Sequence, residues 1–257
     1  VAPTVLWEMG AEVIAIGVDP DGFNINMGCG STHPEKLAQR VVAEGADIGF
    51  ALDGDADRVI VVDETGKVID GDQLLGLAAI SWKENGRLHS KAVVASVMSN
   101  LGLELYLKAN GLDLIRTPVG DRYVVEEMRN SNINLGGEQS GHIIFSDFTS
   151  TGDGLIASLQ ILCELVGKGK KASELLNVFD PVPQYLKSVT FKSEQPLEDK
   201  SVKIAVAAAD EKLNGSGRLL VRKSGTEPLI RVMAEGEDEG LIKILVENIC
   251  SAVEKAA

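Results

Sequence analysis

Asp53, Asp55 and Asp57 recur at every second position, spaced by Gly54 and Ala56 and closed by Arg58. Carboxylates at this spacing point to a bound cation. Two like charges about 4 Å apart repel by roughly 4 kcal/mol at an effective dielectric of 20, so the trio needs a metal, protonation or wide separation. Ligands that are all oxygen suit Mg2+ or Ca2+ rather than zinc, which prefers His and Cys. An Asp-Gly-Asp stretch is also an ordinary solvated turn. Its flanks argue against that reading here, because Ile48-Gly49-Phe50-Ala51-Leu52 before it and Val59-Ile60-Val61-Val62 after it both read as buried strands. The trio also fits positions 1, 3 and 5 of an EF-hand loop, with Glu64 at position 12. Arg58 stands where that loop needs a glycine for its sharp turn, and the flanks are strand-like, which argues against a calcium sensor.

Three other loops carry groups for recognition. Gly136-Gly137-Glu138-Gln139-Ser140-Gly141-His142 joins two strands and can hold a polyhydroxylated ligand, with Glu138 and Ser140 as the main candidates. The bland alternative is a tight glycine-rich connection. Arg222-Lys223-Ser224-Gly225-Thr226-Glu227-Pro228 combines a guanidinium fork, two hydroxyls and a glycine whose amide can approach an anion, and Arg231 in the next strand offers a second fork. Phosphate suits that set, and a plain hairpin turn remains its equal. Thr117-Pro118-Val119-Gly120-Asp121-Arg122-Tyr123 precedes a helix, where Arg122 and exposed amides would attract phosphate; a surface salt bridge is the competing reading.

The elements that must position these loops read as follows. A helix ends at Met9, a strand spans 12–16, and a Thr32/Glu35 capping box opens a helix to about residue 44, leaving His33 as a surface residue. Strands at 48–52 and 59–63 bracket the aspartates. From about residue 71 strand and helix alternate: helix 73–83, strand 92–96, helix 101–110, strand 113–116, helix 121–130, strands 133–135 and 142–146, helix 153–167. That order implies a layered, largely parallel sheet. In the last helix Leu155, Leu159, Leu162, Cys163 and Val166 read as the core stripe, with Asp153 as cap. Asp180-Pro181-Val182-Pro183 reads as a linker. Beyond it strand 185–192, helix 197–213, strands 217–223 and 229–235 and helix 238–255 suit a small α+β domain with an antiparallel sheet. The fold expected is two α/β domains, the first incomplete, over 1–70 and 71–180, and an α+β domain over 184–257.

The 257 residues are 44% hydrophobic and 25% charged, enough for a substantial core. A net charge of −13 disfavours nonspecific binding to nucleic acid or anionic membrane, so an anionic ligand must be held by a local arginine cluster. Cys29, Cys163 and Cys250 are far apart and odd in number, which fits a reducing compartment, no structural zinc and burial as small hydrophobes. No apolar run has the length of a membrane span, and the amino terminus lacks a basic-then-apolar signal, so cytoplasm is the default location. Val1 in place of an initiator methionine, followed by the end of a helix, reads as a chain beginning in mid-domain, as a fragment would.

The loops Asp53-Gly54-Asp55-Ala56-Asp57-Arg58, Gly137-Glu138-Gln139-Ser140-Gly141-His142 and Arg222-Lys223-Ser224-Gly225-Thr226-Glu227-Pro228, in this order, resemble the signature loops of the α-D-phosphohexomutase family. The resemblance covers essentially the whole chain, including Asn24-Ile25-Asn26, Cys29-Gly30-Ser31-Thr32-His33, Val119-Gly120-Asp121-Arg122-Tyr123-Val124 and Leu229-Ile230-Arg231-Val232. It implies a four-domain enzyme that interconverts sugar 6- and 1-phosphates through a phosphoserine and a bisphosphorylated intermediate. By that resemblance Asp53, Asp55 and Asp57 hold Mg2+ and Arg58 stabilises the transferring phosphate. Glu138 and Ser140 grip sugar hydroxyls, with His142 and Arg122 also on the substrate side. Arg222, Ser224, Gly225, Thr226 and Arg231 anchor the phosphate that is not reacting. The partner implied is a phosphosugar, with no nucleic acid and no membrane, and a homodimer is left open. Gln139 and Gly225 side with the glucosamine-phosphate members over mannose/glucose members, which often carry Met and Asn there. The family's first domain, with its Ser-His-Asn-Pro phosphoserine loop, has no counterpart in these residues, so the 257 residues alone are expected to show no turnover. A phosphomannomutase/phosphoglucomutase is the nearest alternative, and a noncatalytic metal- or sugar-phosphate-binding module is the alternative from another class.

Overall fold

Pro3 in the first turn starts helix α1 (Ala2–Glu8), from which the chain runs without helix or strand to α2 (Glu35–Glu44) in a computed structural model that describes residues 1–191, 196–224 and 227–256. The strand expected at 12–16 is absent: no neighbouring strand pairs with it, and Ile14 and Ile16 remain 43% and 40% exposed. The expected capping box does not form either. Pro34, not Thr32, occupies the position before the first helical residue and offers no side-chain acceptor, and α2 ends at Gly45.

β1 (Ile48–Leu52), β2 (Val59–Asp63) and β3 (Val68–Ile69) form an antiparallel meander, with Leu52 paired to Val59. That pairing makes residues 53–58 the hairpin link, so all three aspartates sit at one end of the sheet. Every residue of β2 is buried. Asp63 builds the next turn by accepting the Thr65 and Lys67 amides at 2.9 and 3.0 Å.

α3 (Gly71–Glu84) starts two residues before the expected position, because Asp70 caps it by accepting the Gln73 N–H at 3.2 Å. Then follow β4 (Ala92–Ser96), α4 (Leu101–Ala109), β5 (Asp113–Thr117), α5 (Asp121–Asn130), β6 (Leu135–Gly137), β7 (Ile143–Phe145), α6 (Gly154–Lys168) and α7 (Ala172–Leu176). The sheet order is β5-β4-β6-β7, with β4 parallel to β5 and β6 and β7 antiparallel. β6 lies two residues beyond its expected place and includes Gly136 and Gly137. A Cβ on Gly136 would stand 2.6 Å from Met128 Sδ on α5, so glycine is what allows helix and strand to pack this closely.

The core face of α6 also differs from the expected one. Gly154, Ala157, Ser158 and Ile161 are buried, whereas Cys163 is exposed and Val166 is 79% exposed. The helix is apolar on several sides, so periodicity alone does not choose the inner one. Small residues let it approach closely: a Cβ on Gly154 would meet Leu52 Cδ2 at 2.6 Å. α7 had no expectation attached, and its first turn is held by Glu64, whose carboxylate accepts the Ser173 N–H at 2.9 Å. One apolar core joins Val59, Val61 and Ile69 of the meander to Leu75, Leu103, Leu135 and Phe145 of the α/β layers. Each such side chain contributes about 1.5–3 kcal/mol when fully buried.

The chain divides into two compact units, Val1–Ser99 with Leu103–Phe179, and Asn100–Gly102 with Asp180–Ala257. The second contains β8 (Gln184–Thr190), a single 3-10 turn at Pro196–Glu198, α8 (Lys200–Leu213), β9 (Gly217–Lys223), β10 (Leu229–Gly236) and α9 (Glu239–Lys255). Its sheet is antiparallel in the order β8-β10-β9. Asp199 and Asp238 cap α8 and α9 through the Ser201 and Leu241 amides, and Val189, Ile230, Val232, Val246 and Ile249 share its core. Residue 192, the expected end of β8, lies outside the described residues.

Candidate active site

The aspartate loop is a tight turn. The Ala56 N–H donates to the Asp53 carbonyl at 3.1 Å, and Ala56 sits at φ 59, a left-handed conformation that costs a non-glycine residue roughly 1–2 kcal/mol. Its carbonyl accepts the Gly154 N–H at 2.8 Å, so the start of α6 holds the turn in place. The result gathers one ligand atom each from Asp53, Asp55 and Asp57 within 4.8 Å of one another. Arg58 partly balances the charge: its Nε lies 3.2 Å from Asp53 Oδ2 and 3.5 Å from Asp57 Oδ1, and its backbone N–H donates to Asp53 Oδ1 at 3.1 Å.

Asp57 carries the clearest sign of an unmet need. Its Oδ1 is buried and accepts no hydrogen bond among the described residues. Burial pushes the carboxyl above the usual aspartate range, Asp53 and Asp55 add to the rise, and His142 opposes it. An all-oxygen donor set with an orphaned buried carboxylate oxygen fits a small hard divalent cation.

The glycine-rich loop is fastened directly to this turn. Gly141 O accepts the Val59 N–H at 3.0 Å, Gln139 O accepts the Gly71 N–H at 2.9 Å, and Glu138 N–H donates to His142 O at 2.9 Å. His142, only 2% exposed, contacts Asp57 Oδ2 through Nδ1 at 3.0 Å and accepts the Gly152 N–H on Nε2 at 3.1 Å. Gln139 donates to Asp70 Oδ2 at 3.2 Å. Burial holds the Asp70 carboxyl above its ordinary value despite that bond and the Gln73 amide.

A cleft of about 580 Å³ opens over these groups, lined by Asp57, Arg58, Glu138, Gln139, Ser140 and His142 together with Ser96, Met98, Val119, Gly120 and Asp121. Val119, Gly120 and Asp121 belong to a loop singled out from sequence, whereas Ser96 and Met98 were missed, though a signal existed. Ser96 is the last residue of β4, and Val119 and Glu138 follow the carboxyl ends of β5 and β6, where ligands gather in open α/β sheets. Arg122 does not line the cleft: its guanidinium lies 4.4 Å from the Tyr123 ring centroid and donates to the Tyr123 hydroxyl. At the start of α5 the Gly120 N–H is already taken by Glu138 Oε1 at 3.2 Å. A separate cavity of about 280 Å³ under α3 and α6 is chiefly apolar, with Leu74, Trp82, Phe145 and Ile161 in its wall. Of the cysteines expected to be buried, Cys250 is, Cys29 is half-buried and Cys163 is exposed.

In the second unit, Arg222 and Arg231 are direct cross-strand partners on β9 and β10. Side chains so paired project from the same face with Cβ atoms about 5 Å apart. Burial, and then the charge of Arg231, lower the pKa of Arg222, which an anion would reverse. Ser224 is buried with its N–H on the Leu229 carbonyl at 2.7 Å, while Gly225 and Thr226 lie outside the described residues.

Fold, loop order and loop geometry define a phosphohexomutase-type protein. The chain belongs to the phosphoglucomutase/phosphomannomutase family: residues 1–66 match its alpha/beta/alpha domain II, 70–182 its alpha/beta/alpha domain III and 186–252 its C-terminal domain. Among its relatives, the phosphoglucosamine mutase of a Ruegeria species is 61% identical over 256 residues, and that of Rhodopseudomonas palustris 58% identical over 257. These alignments cover 99% and 100% of this chain but 57% of each relative's length. A crystal structure of a phosphoglucomutase/phosphomannomutase family protein from Burkholderia thailandensis superposes with a TM-score of 0.80 at 24% identity, covering 99% of this chain and 57% of that one. The N-acetylphosphoglucosamine mutase of Aspergillus fumigatus, solved in complex with GlcNAc-6P and magnesium, gives a TM-score of 0.69 at 23% identity over 90% of this chain and 53% of that one.

Proposed function

We propose that the protein carrying this chain is a phosphoglucosamine mutase, interconverting glucosamine 6-phosphate and glucosamine 1-phosphate in the cytoplasm. The observation that carries the reading is the convergence of three carboxylates within 4.8 Å beside a cleft lined by Glu138 and Ser140, in a chain 58–61% identical to proteins of that name. Asp53, Asp55 and Asp57 would hold Mg2+, which when bound neutralises charge on the phosphoryl group.

The chain's own residues then divide the work. Arg58 faces the transferring phosphoryl group, which leaves a serine oxygen for a sugar hydroxyl; the hydroxyl proton passes to the serine side. The resulting bisphosphate turns over in the cleft and returns its other phosphoryl group to the serine. Glu138 accepts from sugar hydroxyls and Ser140 can donate as well as accept, so either orientation is held. Arg222 and Arg231, with Ser224, Gly225 and Thr226, anchor the phosphate that is not reacting, and such remote anchoring fixes in-line geometry.

No Ser-His-Asn-Pro loop occurs in the 257 residues, so the chain alone binds metal and phosphosugar without turnover. The test compares conversion of glucosamine 6-phosphate, glucose 6-phosphate and mannose 6-phosphate by the longer protein that contains this chain and a phosphoserine segment. Preference for glucosamine 6-phosphate supports the assignment; preference for either other sugar moves it to a phosphoglucomutase/phosphomannomutase. Turnover by the 257 residues alone overturns the assigned division of labour.

A further inference from the structure

We infer that His142 is a positioning residue for the metal loop, held as the Nδ1–H tautomer so that it donates to Asp57 and aims that carboxylate into the aspartate cluster. The inference rests on the proposed metal-binding role of the cluster. This role differs from the substrate-side one that the family resemblance implies for the same histidine.

The argument is one of donors and acceptors. The Gly152 N–H points at His142 Nε2 at 3.1 Å, so Nε2 must offer a lone pair; a hydrogen there would face another hydrogen. The ring hydrogen is thereby assigned to Nδ1 by its network. Nδ1 lies 3.0 Å from Asp57 Oδ2, a carboxylate that can only accept when ionised. Donation on Oδ2 leaves Oδ1, which has no hydrogen-bond partner among the described residues, available to the carboxylate cluster that Asp57 shares with Asp53 and Asp55. The surroundings are built for this placement. A Cβ on Gly152 would come within 2.4 Å of the His142 ring, so only a bare backbone can bring its N–H to Nε2. The ring is 2% exposed, and both its nitrogens are engaged within the protein. Hydrogen-bonding partners of metal ligands fix ligand orientation, and their loss typically weakens metal affinity about 10–100-fold.

Two replacements separate the two ring nitrogens. His142→Asn can place an amide N–H near the Nδ1 position and lacks an acceptor for Gly152. His142→Gln reaches the Nε2 position, where its oxygen can accept from Gly152, and gives up the donor to Asp57. The experiment measures Mn2+ affinity of the 257-residue chain by calorimetry, with unfolding midpoints for each variant, and reads the His142 tautomer in the wild type by long-range 1H–15N correlation. Only His33, His89 and His142 contribute signals to that spectrum. The expected result is a protonated Nδ1 and a bare Nε2 for His142, Mn2+ affinity within about threefold of wild type for His142→Asn, and a loss on the order of tenfold or more for His142→Gln. A purely structural histidine would reverse that order, with His142→Gln the better tolerated on both readouts. A hydrogen on Nε2, or wild-type Mn2+ affinity in His142→Gln, overturns this inference alone. Absence of Mn2+ binding by the wild-type chain overturns it together with the metal assignment beneath it.

Discussion

Gly141 gives its carbonyl to the Val59 N–H at 3.0 Å, and a Cβ on Gly141 would lie 2.1 Å from the Val59 carbonyl oxygen. The glycine-rich loop and the first residue of β2 therefore touch backbone to backbone. Gly141 also sits at φ +94, where side chains are strained. Gly141→Ala is expected to destabilise the chain by at least about 2 kcal/mol in denaturant unfolding, since clash and backbone strain add. A shift of a few tenths would mean that the two loops are not in contact.

Gly167 provides the opposite case. It lies in α6 with open space, nothing within 4 Å, where a Cβ would stand, and it has no left-handed φ. Gly167→Ala is expected to raise stability by about 0.5–1 kcal/mol, through higher helix propensity and a less disordered unfolded chain. Loss of stability in the same measurement would contradict the described α6 packing.

Two acids should give opposite pH trends. Burial raises the folded pKa of Asp70, so its contribution is complete below the unfolded value of about 3.9 and is lost as pH rises through the folded one. Asparagine caps helices as well as aspartate, so Asp70→Asn should gain on the wild type as pH rises above that range. Hydrogen bonds from Ser173 lower the folded pKa of Glu64, whose contribution is present above about 4.3 and disappears as pH falls through the folded value. The loss caused by Ser173→Ala should therefore shrink on acidification. Stability curves with pH-independent differences would contradict both assignments.

Much of this was legible in the sequence, and the failures share a cause. The aspartate loop, the alternation of strand and helix, the Asp153 cap and the antiparallel carboxy-terminal sheet follow from local spacing and composition. The core face of α6, the burial of Gly136 and Gly137 in β6 and the cleft wall at Ser96 and Met98 depend on what another part of the chain places alongside. Asp70 shows the limit at a single residue: it closes the first expected domain, 1–70, but only the structure shows that its carboxylate caps α3 and receives Gln139. The strand expected at 12–16 had the pattern of a strand and no partner to pair with.

The three thiols should separate by reactivity. Cys163 is exposed, whereas burial pushes the Cys250 thiol up to about 11, leaving little thiolate at neutral pH. Alkylation of the folded chain at pH 8, read by mass spectrometry, is expected to modify Cys163 first and Cys250 only on unfolding. Early labelling of Cys250 would contradict its placement in the core.

Arg222 and Arg231 should act together on an anion. Hydrogen bonds to charged groups contribute about 1.5–3 kcal/mol, so Arg231→Ala is expected to weaken inorganic phosphate binding by roughly tenfold or more in calorimetry. Unchanged affinity would remove this pair from the phosphate site.

The most direct test of the whole account is a Mn2+ titration of the 257-residue chain beside its Asp55→Asn and Asp57→Asn variants. Wild type should bind one ion per chain and gain thermal stability on binding, and each variant should lose both effects. Wild-type chain that binds no ion, or variants that bind as well as wild type, would contradict the claim that Asp53, Asp55 and Asp57 form a metal centre.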